Sequence, residues 1–191
     1  DLVRVEFELL VTRLSDSIQR RVVANEQVLR SVEGLFDASE GVSRQEFRNF
    51  VAAQHLEKNY PGIQGVGFSR LIRPTELAAH VARVRGEGFP HYELRPSGVR
   101  DVYSSIVYLE PFDWRNQRAF GYDMYAEPLR QKAMLRAAET GAVALSAKVT
   151  LVQETEKDVQ AGVLLYVPIY SGTGQPATLE ERKRKLIGDR K

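Results

Sequence analysis

The chain has 191 residues, 43% of them hydrophobic and 27% charged, a mix that supplies a packed core in one domain or two small lobes and stands far from a disordered chain. Its 27 Lys and Arg against 25 Asp and Glu leave a charge of +2, too small and too evenly spread an excess for a nucleic-acid binder. It contains no Cys, which excludes disulfides, thiolate metal sites and cysteine nucleophiles, and no uninterrupted apolar run approaches the roughly 20 residues of a membrane span.

Apolar side chains at Val3, Phe7, Leu10, Leu14, Ile18, Val22, Leu29, Val32 and Phe36 recur at steps of three and four, broken only at Asn25, the mark of a helical stripe. No Pro or Gly interrupts the run before Gly34, so one helix of roughly 50 Å is predicted over residues 1–36. That length overshoots a compact body. The excess either pairs with the same helix of a second chain, making a homodimer, or lies on its own domain. Ser43 and Glu46 form a capping box that opens a helix to about Leu56. After the turn at Asn59 to Gly62, residues 65–72 read as a strand, and Pro74 opens a helix to Gly86. Further strands are predicted at His91–Arg95, Ser104–Leu109, Ala119–Met124, Ala144–Val152 and Val163–Ile169, with a helix from Pro128 to Glu139 stopped by Gly141. Thr178 and Glu181 form a second capping box. The helix it opens is short, so the last lobe is expected to be truncated at Lys191 and the chain to be part of something larger. The run from Arg182 to Lys185 reads as a solvated helix face, with a lipid-facing surface as the other reading. Helices and strands in this mixed order predict an α+β fold with antiparallel sheets.

His55, His80 and His91 are far apart and share no metal-binding spacing, so no metal or other cofactor is expected. Gly65-x-Gly67 lacks the third glycine of a dinucleotide fingerprint, and neither a phosphate loop nor a Gly-x-Ser-x-Gly elbow occurs. An enzyme is therefore disfavoured. The densest polar and aromatic stretch runs from Tyr103 to Tyr125 and includes Tyr108, Glu110, Phe112, Trp114, Phe120, Tyr122 and Asp123. Aromatic faces with one or two acids suit a donor-rich ligand. The same aromatics also read as core, with Glu110 and Asp123 as loop caps or partners of Arg115 and Arg118.

The run from Asn116 through Gly121-Tyr122-Asp123-Met124, then Glu127-Pro128, Arg130, Ala133-Met134, Thr140-Gly141, Ser146, Lys148 to Leu151, Gln153-Glu154 and Gly162 to Tyr170 resembles the signature of the CHASE family, the cyclase/histidine-kinase-associated sensory extracellular domains. The resemblance spans roughly residues 33–188. It implies a long N-terminal helix followed by two PAS-like antiparallel-sheet lobes: a stalk over 1–36, a membrane-distal ligand-binding lobe over 37–155, and the start of a membrane-proximal lobe over 156–191. It implies a place outside the cytoplasm, periplasmic or extracellular, between two membrane spans, with a cytoplasmic histidine kinase of a two-component system, a diguanylate cyclase or an adenylate cyclase as output. Plant relatives recognise cytokinins, adenine derivatives, through an acid for which Glu110 is the nearest match, so an adenine-like or other donor-rich ligand is one expectation. A longer connection over Phe112 to Arg118 means that cytokinin specificity does not carry over. Together the residues and the resemblance nominate Tyr108, Glu110, Phe120, Tyr122, Asp123, Ser146, Lys148 and Leu165 as ligand-binding. A module of the same fold with a filled pocket, used only for dimerisation, is the alternative.

Overall fold

A computed structural model describes residues 2–152 and 161–186. Helix α1 runs over Leu2–Asp37 as the apolar stripe predicts, but only its second half meets the body. Val28 and Val32 are buried, while Leu2, Val3, Phe7, Leu10, Leu14 and Ile18 are all exposed. Helix α2, Arg44–Ala53, begins with the predicted capping box: the Glu46 amide donates to Ser43 Oγ and the Ser43 amide donates to the Glu46 carboxylate. It stops short of Leu56 because His55 turns into the left-handed region at φ 51°, and a separate helix α3, Leu56–Asn59, follows. Val28, Val32, Phe47, Val51, Leu56 and Val66 close the core between these helices and the first strand.

Strand β1, Val66–Ile72, pairs antiparallel with β2, Tyr103–Glu110, with an irregular register between Phe68 and Ser69. Between them lies α4, Leu77–Gly86, preceded by a 3-10 turn at Pro74–Glu76. Helix α5, Pro128–Thr140, has Pro at its first turn, Glu127 accepting from the Leu129 and Arg130 amides, and Gly141 as its left-handed stop. Among the described residues four short strands follow: β3 Ala144–Leu145 pairs with β6 Leu165–Tyr166, and β4 Val149–Thr150 pairs with β5 Ala161–Gly162, both antiparallel. Helix α6, Leu179–Lys185, carries the second capping box. The architecture is mixed helix and sheet, with every described strand pair antiparallel.

Four predicted strands differ, the simplest being Val163–Ile169, of which only Leu165–Tyr166 is strand. His91–Arg95 is no strand, and only Arg95 bridges to Tyr122; the Tyr92 carbonyl accepts from Arg85 Nε, and its amide donates to the Phe89 carbonyl, so neither group is left for a ladder. Ala119–Met124 begins as the end of a 3-10 turn, Asn116–Ala119, and then bends at Gly121, whose φ is 79°. A Cβ at Gly121 would run into the Glu93 carbonyl, so this bend needs glycine. Ala144–Val152 is broken between β3 and β4, where Ser146 Oγ donates to the adjacent Ala147 carbonyl and accepts from the Leu164 amide. The lobe boundary expected at 155/156, and Gln153 and Glu154 of the family-like motif, lie outside the described residues.

Candidate functional site

Two helices meet a glycine-bearing strand here, and the space they leave is set by residue spacing. On α5, Arg130, Met134, Ala137 and Ala138 stand at i, i+4, i+7 and i+8, one helical face, and all four line a cavity of about 220 Å³. Gly65, Gly67 and Ser69 of the β1 segment form its floor, residues 164–169 its far wall, and Leu29 and Val32 of α1 its side. A second cavity of about 440 Å³ adjoins the first across Leu29, Gly65, Val66, Leu164 and Leu165. Asn25, Val28 and Leu29 of α1 line that second space. Small-molecule sites occupy about 300–1,000 Å³ and are mostly apolar with few polar groups.

The polar groups cluster at one end. Arg130 is buried, its guanidinium 5.0 Å from the centre of the Tyr122 ring. Arg130 Nη2 donates to the Thr150 carbonyl at 2.7 Å, and Nη1 reaches only Met124 Sδ at 3.6 Å. Tyr166 and Tyr125 line the same cavity. Burial pushes the Tyr125 phenol up to about 12, with the Asp123 charge adding to the rise, and pushes that of Tyr166 further up.

Of the residues nominated from sequence, Leu165 lines both cavities. Tyr122 stacks beneath the cavity-lining Arg130. Tyr108 is half-buried in the core, packed on Phe47 and Phe68, with its hydroxyl donating to the Val42 carbonyl at 2.8 Å. Phe120 packs among Phe89, Tyr92 and Phe112. The Arg44 guanidinium lies over Phe89, Tyr108 and Phe120 at 4.5, 5.0 and 5.3 Å, so this group of rings holds a cation from its own chain. Glu110, buried at the end of β2, accepts from Arg48 Nε at 3.0 Å and from the Phe112 amide at 3.1 Å. Asp123, fully buried, accepts from the Ser104 and Tyr125 amides through Oδ1, and its Oδ2 is 3.3 Å from Arg100 Nε. Ser146 is buried in the strand break, and Lys148 is exposed. Arg130 and Tyr166 escaped the sequence reading as site residues. The α5 spacing that puts Arg130 with Met134 and Ala137 was a usable signal for the first; nothing local marks the second.

A sequence-family model of the CHASE domain matches residues 40–189, from just past α1 to the end of the chain's described part and beyond. The chain belongs to the CHASE family. CHASE domains are sensory extracellular domains of receptors, so this one is a sensor module in signal transduction rather than a member of a catalytic family. No curated protein matches the chain at a meaningful level of similarity. Among the described residues no helix is long and apolar enough to cross a membrane.

Proposed function

We propose that this CHASE domain binds a small molecule in the paired cavities between β1, α5 and the β6 segment, on the extracytoplasmic side of a membrane receptor whose output is a histidine kinase or a nucleotide cyclase. Residues 37–155 act as the distal, ligand-binding lobe of a PAS-like pair, residues 156–191 open the proximal lobe, and α1 is the stalk. One observation carries this reading: α1 itself forms a wall of both cavities through Leu29, so a ligand's differential contacts fall directly on the element that leaves the domain. Occupancy would then shift or rotate α1 without a relay of intermediate residues.

A thermal-shift screen of small metabolites tests it. A ligand at 100 times its dissociation constant adds about 2.7 kcal/mol of stability, and Leu165→Trp, which fills the junction of the two cavities, abolishes that shift. A library without a single stabiliser, or a shift that survives Leu165→Trp, overturns the reading. The exposed stripe from Val3 to Ile18 favours a second, compatible role in pairing with the same helix of another chain. Light scattering of the chain at rising concentration gives a dimer if that holds and a monomer throughout if it does not.

A further inference from the structure

We propose that the cavity between β1 and α5 selects a small carboxylic acid with an apolar body, its carboxylate received by Arg130 Nε and the Tyr166 hydroxyl. This rests on the reading of the cavity as a ligand site. Four buried side-chain atoms among the described residues have no hydrogen-bond partner: Arg44 Nε, Asp123 Oδ2, Arg130 Nε and the Tyr166 hydroxyl. An unmet buried donor or acceptor costs about 1–3 kcal/mol, so each needs a reason. Arg44 and Asp123 line neither cavity. Arg44 has its other nitrogens on the Val107 carbonyl and the Glu87 carboxylate, and Asp123 Oδ2 has the Arg100 charge beside it. Arg130 and Tyr166 both line the same space.

The chemistry of the two unmet atoms defines what can meet them. Arginine Nε–H only donates, and a buried phenol whose ionisation is pushed up keeps its proton, so it also donates. The occupant must therefore bring acceptors. A carboxylate brings two oxygens to two donors and meets a guanidinium whose charge is offset only in part by the partly exposed Glu127, whose Oε2 stands 3.9 Å from the same Nε, beyond hydrogen-bond reach. An ammonium would face that guanidinium directly. Most of the remaining wall is apolar, with Leu29, Val66, Leu109, Met134, Ala138 and Leu165, and the Ser69 hydroxyl is already bonded to Ser104, so the body of the acid should be largely apolar.

Calorimetric titration of the whole chain with hexanoate, octanoate and phenylacetate, each beside its neutral primary amide, tests the proposal. At least one acid should bind about tenfold or more tighter than its amide, since a tenfold ratio corresponds to about 1.4 kcal/mol for a charge-assisted contact. Tyr166→Phe and Arg130→Lys should each remove that preference. Tyr166→Phe deletes only an unpartnered oxygen, so the ligand-free melting temperature should hold or rise, whereas a hydroxyl with a purely structural partner would lower it. Amides that bind as tightly as acids, or an acid preference that survives both variants, overturn the acid inference and leave the cavity as a neutral-ligand site. Failure of both series to bind overturns the inference, and the thermal-shift screen then decides the cavity reading separately.

Discussion

Arg44 and Arg130 are both guanidinium groups laid on aromatic rings, yet they serve opposite ends. Arg44 sits over three rings with one nitrogen on the Val107 carbonyl at 2.6 Å and another on Glu87 at 2.9 Å. Its Nε is unmet, but Arg44 lines neither cavity, and the aromatic stretch that looks like a pocket in sequence is plugged by its own chain. Arg130 stacks on one ring, bonds one carbonyl, and lines a cavity, with its Nε unmet as well. Aromatic residues beside a cation thus make a core or a site according to whether space remains next to the donors. Residue type alone does not decide it.

The largest expected effect lies on the closed side. His80 is buried, its Nε2 within 2.8 Å of the Tyr92 hydroxyl, which in turn meets Ser105, and Arg83 is 3.2 Å from Nδ1. Burial, with Arg83 and Arg70 adding to it, holds the imidazole down to about 4 from an ordinary 6.5. Above pH 6.5 both folded and unfolded chains carry a neutral ring, and its contribution is fully present. As pH falls from about 6.5 toward about 4 the unfolded chain takes up a proton that the folded one refuses, so stability drops, by on the order of 3 kcal/mol in total. Urea unfolding at pH 7 and pH 4.5 measures the drop, and His80→Gln should flatten most of it. An unchanged slope in that variant would mean the network around Tyr92 is open to water, and the closed side is less closed than its geometry suggests.

Next in size is Arg44→Met, which keeps apolar volume over Phe89, Tyr108 and Phe120 but strips the cation and leaves the Val107 carbonyl unmet. A loss of about 2 kcal/mol in unfolding free energy is expected, held down by the partial exposure of Glu87. Affinity for any cavity ligand should stay within about twofold, because Arg44 lines neither space. A variant that folds normally but loses its ligand would reverse the comparison and make the aromatic cluster the site.

Glu110→Gln should have the smallest effect. The carboxylate meets a half-exposed Arg48 and one backbone amide, so stability should fall by about 1 kcal/mol or less. Titration of the best ligand should give an unchanged constant. A loss of about 1.5–3 kcal/mol in binding would instead mark Glu110 as the recognition acid at the end of β2, and the same loss confined to Asp123→Asn would move that role to Asp123.

Much of the helical architecture is legible in the residues because it depends on neighbours one turn away. The Ser43 and Thr178 capping boxes, the Pro128 start and Gly141 stop of α5, and the stripe along α1 all follow from i to i+4 contacts. Strand positions were less legible. Residue types suggest strands at His91–Arg95 and Ala119–Met124, but the Arg85 side chain, seven residues before Tyr92, and a local 3-10 turn take the backbone groups a ladder would use. The family, too, was readable from the spread motif between Asn116 and Tyr170, and the match over residues 40–189 establishes it.

By itself, then, the sequence determined the family, the long N-terminal helix and the mixed α+β composition, since each rests on local periodicity or on a motif with its own spacing. Tertiary structure alone decided which polar groups find partners. Arg44 pairs with Glu87, forty-three residues away, and Glu110 with Arg48, sixty-two residues away, distances in sequence that no local pattern encodes. Arg130 Nε and the Tyr166 hydroxyl go unmet in residues that line the space left between α1, α5 and the β6 segment. Whether a buried donor is structural or waiting for a ligand depends on what the rest of the chain brings within about 3 Å of it.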